Sequence, residues 1–120
     1  IMASLNMVGP FPLNEKEIDQ QIRKGIPGNY AYGFLNKDDR FVVEYVGRSD
    51  HNLNERISHG IGHYKMFKFS YANDAKEAFE KECRNYHDFG GDDGILDNKV
   101  HPDRPERTEY DCPICNIFDK

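Results

Sequence analysis

Glu82 shares one helix face with Ala75, Ala78, Phe79, Cys83 and Tyr86, residues that recur at the three-and-four spacing of a buried stripe. A carboxylate aimed at the protein body is costly unless a cation, a hydrogen-bond donor or a metal meets it. Two kinds of partner suit it. One is an arginine in a structural ion pair; the other is a hard divalent cation of the Mg²⁺ type, for which one carboxylate with waters and phosphate oxygens is enough. Glu77 and Glu80 fall elsewhere on the same helix and read as solvated charges.

A second set of residues carries softer chemistry. Cys112-Pro113-Ile114-Cys115 is a C-x₂-C knuckle, and Cys83 and His87, four apart, share a helix face. Together they make a Cys₃His set of the kind that closes around a structural zinc ion, with His101 as the alternative fourth ligand. This set uses all three cysteines. An odd number of cysteines without a secretory signal argues for reduced thiols or metal ligands over a disulfide framework. Such a site would staple a Gly- and Pro-rich tail to the helix that carries Glu82.

The elements that must position these residues can be read from the chain. Asn14 with Glu17 three residues later resembles a capping box, and Ile18 and Ile22 follow on one face, so a helix is expected over about Glu15 to Lys24. Asn29 to Leu35 and Arg40 to Val46, rich in aromatic and β-branched residues, flank the polar Asn36 to Asp39 and read as a hairpin. A turn centred between Lys37 and Asp38 would pair Phe34 with Phe41, Tyr32 with Val43, and Tyr30 with Tyr45, all on one face. Phe34, Phe41 and Val43 read as core. Tyr30 and Tyr45 carry hydroxyls that need polar partners if buried, so both a core and a functional reading stand. Asn52 to His59 can make one or two helical turns, Tyr64 to Tyr71 a third strand, and Asn73 or Asp74 can cap a helix over Ala75 to Asp88 that Gly90-Gly91 ends.

The expected architecture is therefore an α/β chain of the α+β kind, a small three-stranded antiparallel sheet flanked by helices, with an irregular, zinc-stapled C-terminal tail. Its parts are residues 1–26 as N-terminal segment and helix, 27–90 as the central domain, and 91–120 as the tail. Ile1 to Asn6 read as a non-native leader ahead of a start at Met7.

One domain is what 120 residues allow, and 38% hydrophobic residues with eight Phe and seven Tyr give it a core. No run approaches the roughly 20 apolar residues of a membrane helix, and residues 1–13 lack a signal-peptide pattern, so a cytoplasmic protein is expected. The net charge of −5 excludes a uniformly basic nucleic-acid coat. Charge is uneven, however. Between Tyr45 and Lys68 stand Arg48, Arg56, Lys65 and Lys68 against Asp50 and Glu55, with His51, His59 and His63 interleaved, whereas residues 89–120 hold eight acidic side chains against four basic ones.

Between Pro27 and Tyr86 the chain resembles the GIY-YIG nuclease family. Pro27-Gly28-Asn29-Tyr30 is similar to the first motif of that family, Tyr45-Val46-Gly47-Arg48-Ser49 to the second, Asn52-Leu53-Asn54-Glu55-Arg56 to the segment carrying its arginine, and Ala78-Phe79-Glu80-Lys81-Glu82 to the helix carrying its metal-binding glutamate. The resemblance implies a small antiparallel sheet flanked by helices and metal-dependent cleavage of a DNA phosphodiester with Mg²⁺ or Mn²⁺. Arg56 would hold the scissile phosphate, Glu82 the divalent ion, and Tyr30 or Tyr45 the attacking water, with His59 or His63 as a proton carrier. Gly47, Arg48, His63 and Lys65 would line the substrate path. The chain departs from the family at Asn29, where an aliphatic residue is usual, in the longer separation of the two motifs, and at Gly60, where a histidine often follows the arginine. Tyr32 competes with Tyr30 for the first-motif role, and Asn98 could stand for an asparagine that the family often has after the glutamate helix. The alternative is an inactive module of the same fold that holds nucleic acid or a protein partner; an active form would itself draw on a partner subunit for DNA affinity.

Overall fold

Asp74 starts the longest helix by accepting the Glu77 N–H at 2.8 Å, and Gly90, at φ +86°, stands just past its end, where a left-handed residue is easiest for glycine. The helix runs Ala75–Asp88, and its buried residues Ala78, Phe79, Glu82, Cys83, Asn85 and Tyr86 lie against the sheet and the tail. Residues 4–118 are described by the computed structural model; residues 1–3 and 119–120, parts of the expected leader and tail, lie outside the described residues. In chain order the elements are β1 (Val8–Pro12), α1 (Glu15–Gln21), β2 (Gly28–Leu35), β3 (Phe41–Ser49), α2 (Leu53–Ile57) with a 3₁₀ turn over Ser58–Gly60, β4 (Met66–Tyr71) and α3 (Ala75–Asp88), followed by a 3₁₀ turn over Gly91–Asp93.

The result is an α+β fold whose antiparallel sheet has four strands, in the order β1-β4-β2-β3. The added strand is β1, which joins the edge of β4. Its sequence Val8-Gly9-Pro10-Phe11-Pro12 carries two prolines, each lacking an N–H, and reads as a breaker in isolation. An edge strand tolerates prolines because one side of it needs no ladder partner. Within the expected leader, Leu5 is buried with Ala31, Val46, Tyr86 and Leu96, and the Asn6 carbonyl accepts from Lys81 Nζ.

The hairpin also differs from its expected register. Leu35 pairs with Phe41, Phe34 with Val42 and Gly33 with Val43, but Tyr32 pairs with Tyr45 and Tyr30 with Gly47. Glu44 is the extra residue of a bulge, and a one-residue slip turns the side chains beyond it to the opposite face. Phe41 and Val43 therefore join the Ala31, Val46 and Tyr86 cluster, whereas Tyr45 stays with Tyr30 and Tyr32. Bulges follow from tertiary fit, and no spacing in the two strands marks this one.

Two layers of helix cover the sheet. On one face Ile18, Ile22, Leu53 and Ile57 from α1 and α2 enclose Tyr30, Tyr32, Phe67 and Phe69. α3 covers the other. α1 begins as its cap predicts, with Asn14 accepting the Glu17 N–H at 2.8 Å, but ends at Gln21 instead of Lys24. Beyond it the backbone is claimed by long-range partners: the Arg23 N–H donates to Tyr71 Oη and the Gly25 N–H to Asn52 Oδ1. After Asp93 the tail has no regular element and is held by side chains. Leu96 is buried, the Asp97 N–H donates to the bulge carbonyl of Glu44, and Arg104 reaches the Tyr110 carbonyl while its guanidinium lies 4.4 Å from the Phe118 ring centroid.

Candidate active-site cleft and metal cluster

β3 is an edge strand, so residues from both sides of the sheet meet around it. Tyr30 and Tyr45 come from the hairpin, Arg56 from the last turn of α2, and Glu82 from the middle of α3; with Gly47, Arg48 and Asp50 they line one cleft of about 290 Å³. Four of the five residues assigned catalytic roles from the sequence are thus brought together, and His59 is not among them.

Glu82 is buried, and its partner is Arg48. Arg48 Nη1 donates to Glu82 Oε1 at 2.6 Å and Arg48 Nε to Asp50 Oδ1 at 2.8 Å, while the guanidinium lies 5.2 Å from the Phe79 ring centroid. Burial pushes the Glu82 carboxyl above the usual range, a rise that Arg48 and, more weakly, Arg56 oppose. Arg48 is desolvated too, but its hydrogen bonds to Asp50 and the charge of Glu82 raise it further, so it stays cationic. Arg56 is exposed; its Nη1 donates to the Arg48 carbonyl at 3.3 Å, and among the described residues it makes no ion pair.

Tyr30 lies across Gly47, its partner in the hairpin. A Cβ at position 47 would fall 2.3 Å from the Tyr30 ring, so the close approach requires glycine. The Tyr30 and Tyr45 rings are stacked at 6.4 Å. Burial raises the Tyr30 phenol, with Tyr32, Tyr45 and Glu82 adding to the rise and Arg56 opposing it; Tyr45, half-buried, is raised for the same first reason. Tyr32, the competing tyrosine, lines the groove that adjoins the cleft. Its hydroxyl donates to the Ile57 carbonyl at 2.9 Å, its ring fills the space left by Gly60 and stacks on Tyr64, and it does not line the cleft.

The histidines stand apart. His59 is exposed, pairs with Glu55 at 3.2 Å, and with His63 lines an adjoining groove that shares Tyr30, Tyr45 and Arg56 with the cleft. Lys65, expected on the substrate path, lies in a separate groove beside Phe34, Glu44 and Tyr64. The Lys65 carbonyl accepts the Leu13 N–H at 3.0 Å, and its groove opens beside Glu44 of β3 and not into the cleft.

One wall of the cleft was invisible in the sequence. Residues 98–103 of the tail line it, and Asn98 fixes them by reading the β3 backbone: its Oδ1 accepts the Val46 N–H at 3.0 Å and its Nδ2 donates to the Val46 carbonyl at 2.8 Å. The residue type was a signal; the location was not. Asn29 is fully buried, its Nδ2 donating to the Ala78 carbonyl and its Oδ1 without a partner among the described residues.

Behind this wall lie four soft donors. One atom each from His87, His101, Cys112 and Cys115 falls within 4.8 Å of the others, a group that could hold a metal ion such as zinc. This corrects the expected set: His101 takes the place of Cys83. Cys83 has no exposed surface and packs with Phe79 and Cys112, whereas the tail segment tied down by Asn98 delivers His101 to His87. Burial raises the Cys83 thiol. Burial also acts on Cys112, but the Ile114 and Cys115 amides and His101 outweigh it, and its thiol is lowered to about 6.

Comparison with protein-family models, with curated proteins and with solved structures finds no match to this chain. Among the described residues, no helix is long and apolar enough to cross a membrane.

Proposed function

We propose that the chain is a metal-dependent DNA endonuclease of the GIY-YIG type that hydrolyses a phosphodiester in the β3-edge cleft. The observation that carries the reading is the convergence of Tyr30, Tyr45, Arg56 and Glu82 on one cleft, with Arg56 free of any carboxylate among the described residues. A planar cation held at a cleft mouth by one backbone contact suits a phosphate.

The residues divide the work as follows. Arg56 binds a non-bridging phosphate oxygen and stabilises the charge that grows there. Arg48, braced by Asp50, fixes the rotamer of Glu82 through Oε1 and leaves Oε2 with no hydrogen bond from the described residues. Glu82 lines the cleft, and a carboxylate oxygen left free there fits the minimal requirement of a hard cation, one carboxylate completed by water and phosphate oxygens. When bound there, Mg²⁺ or Mn²⁺ would neutralise the phosphate and the leaving oxygen. Because burial holds Tyr30 and Tyr45 neutral, they orient the attacking water as hydrogen-bonding phenols, and half-buried Tyr45 relays the water's proton toward solvent. The bond from water oxygen to phosphorus forms as the bond to the leaving oxygen breaks. The three free thiols suit a reducing compartment such as the cytoplasm.

One observation favours a second reading. Glu82 is already neutralised by Arg48 and the chain carries −5, which suits a module that holds a nucleic acid or protein partner without cutting it. Incubation with branched, single-stranded and duplex DNA plus Mg²⁺ or Mn²⁺ separates the two. The nuclease cuts at least one substrate, and Arg56→Ala and Glu82→Ala each abolish the cut. Binding without cleavage supports the second reading, and cleavage that survives both substitutions removes the mechanism.

A further inference from the structure

The hydrogen bonds around His87 and His101 decide what the centre of their cluster requires. His101 Nδ1 lies 2.8 Å from the Pro102 carbonyl oxygen, an atom that can only accept, so Nδ1 carries the proton. His87 Nδ1 lies 2.8 Å from Asp92 Oδ2 and donates in the same way. In neutral rings each Nε2 is then a lone pair, and the two Nε2 atoms face one another at 3.2 Å. Cys115 Sγ is 3.4 Å from His101 Nε2. The Ile114 N–H points at Cys112 Sγ from 3.5 Å, the orientation that stabilises a thiolate. Two nitrogen lone pairs and two sulfurs are thus turned to a common centre, where the thiol protons are the only donors among the four groups and a cation can replace them. Outer hydrogen bonds from Nδ1 to a carboxylate and to a carbonyl are also how ligating histidines are held in tautomer and orientation.

We propose that His87 Nε2, His101 Nε2, Cys112 Sγ and Cys115 Sγ form a tetrahedral Zn²⁺ site, with Cys83 outside it, and that the ion completes the wall of the cleft. Two imidazoles and two thiolates are a donor set for zinc and not for Mg²⁺ or Ca²⁺, which take oxygen. On binding, the two thiols release their protons to solvent. The task follows from chain position. His101 is at once a donor of the cluster and part of the cleft lining, and residues 98–103 have no secondary structure to hold them. Asn98 anchors that segment at the front to Val46, and the ion anchors it at the back to His87, on the helix that carries Glu82. Cleft wall and glutamate are thereby fixed to one another. The ion would hold the wall in place whatever the cleft acts on.

Metal analysis of the full chain is expected to give one zinc per chain, retained in Cys83→Ser and lost in Cys115→Ser. Asp92→Ala, which releases the His87 ring, should bind zinc about 10–100-fold more weakly. If Cys115→Ser fails to fold, Co²⁺ substitution of the wild type counts the sulfurs: charge-transfer intensity of two thiolates supports the assignment, and that of three overturns it in favour of Cys83. Zinc lost from Cys83→Ser but kept by Cys115→Ser also overturns it, as does wild-type protein without stoichiometric metal after zinc supplementation. For the wall, chelation should speed hydrogen exchange of the Val46 amide while central strand β2 stays protected; unchanged protection at Val46 contradicts that role. Because these readouts are metal content and exchange, a failure here is distinguishable from an absence of DNA cleavage.

Discussion

Glu82 and His87 stand five residues apart on α3, and both point acceptor atoms away from solvent, but their surroundings balance charge in opposite ways. At Glu82 the cation is part of the chain: Arg48 lies 2.6 Å away and Asp50 steadies it. At His87 the neighbours are a second imidazole, two sulfurs and Asp92, and among the described residues no lysine or arginine is paired there. A buried acceptor that brings its own counter-charge survives without a ligand, whereas two imidazole nitrogens facing two thiols gain a full counter-charge only when a metal replaces the thiol protons. The first arrangement leaves a cleft open for substrate, and the second draws its members together.

Removing the cation from each side tests that contrast. The largest effect is expected at the cluster, where apparent binding energies of structural zinc are on the order of 10 kcal/mol near neutral pH. A zinc-stripping chelator should lower the melting temperature markedly and release residues 94–118, read by calorimetry and hydrogen exchange; unchanged melting would break the comparison at this end.

Arg48→Leu comes next. It leaves Glu82 buried and unpaired, with an expected loss of about 3–5 kcal/mol at neutral pH in urea denaturation. The pH dependence has a definite sign. The folded-state carboxyl of Glu82 is raised above its unfolded value by burial, so its contribution is intact below the unfolded value near 4.5 and is lost as pH climbs through the folded one. Arg48 limits that loss, so the gap between wild type and Arg48→Leu should widen from pH 5 to pH 8. A constant gap would mean that Glu82 is not the group Arg48 compensates.

Smaller effects are expected where the cleft is shaped without charge. Gly47→Ala puts a methyl group into the Tyr30 ring and should cost about 1–3 kcal/mol, with a shifted Tyr30 resonance in NMR spectra. Asn98→Ala removes both bonds to Val46, an expected loss of about 1–2 kcal/mol accompanied by faster Val46 exchange, while zinc stays bound.

What the sequence disclosed follows the range of the forces involved. α3 was legible to its end residues because its cap, its stripe and its terminating glycine are local, and the inward aim of Glu82 followed from the stripe. The facing of Tyr30 and Tyr45 survived although the register did not, because the bulge at Glu44 shifts the pairing without separating the two rings from one face. The choice of Arg48 as partner of Glu82 was open among arginines, since nothing local says which one reaches across 34 residues. β1 was hidden by its prolines, which only an edge position excuses. The exchange of Cys83 for His101 had the same origin: helix spacing puts Cys83 and His87 on one face, but where the tail returns is decided by Asn98 and the edge of β3.

The most direct test of the central claim is the single-turnover rate of DNA cleavage in Mg²⁺ by zinc-loaded wild type and zinc-loaded Glu82→Gln. The amide keeps the size of the side chain and an oxygen for Arg48 but loses the charge that would hold the ion. A drop of about 100-fold or more, with zinc content and melting temperature little changed, is the expected result. Equal rates from the two proteins would contradict the account.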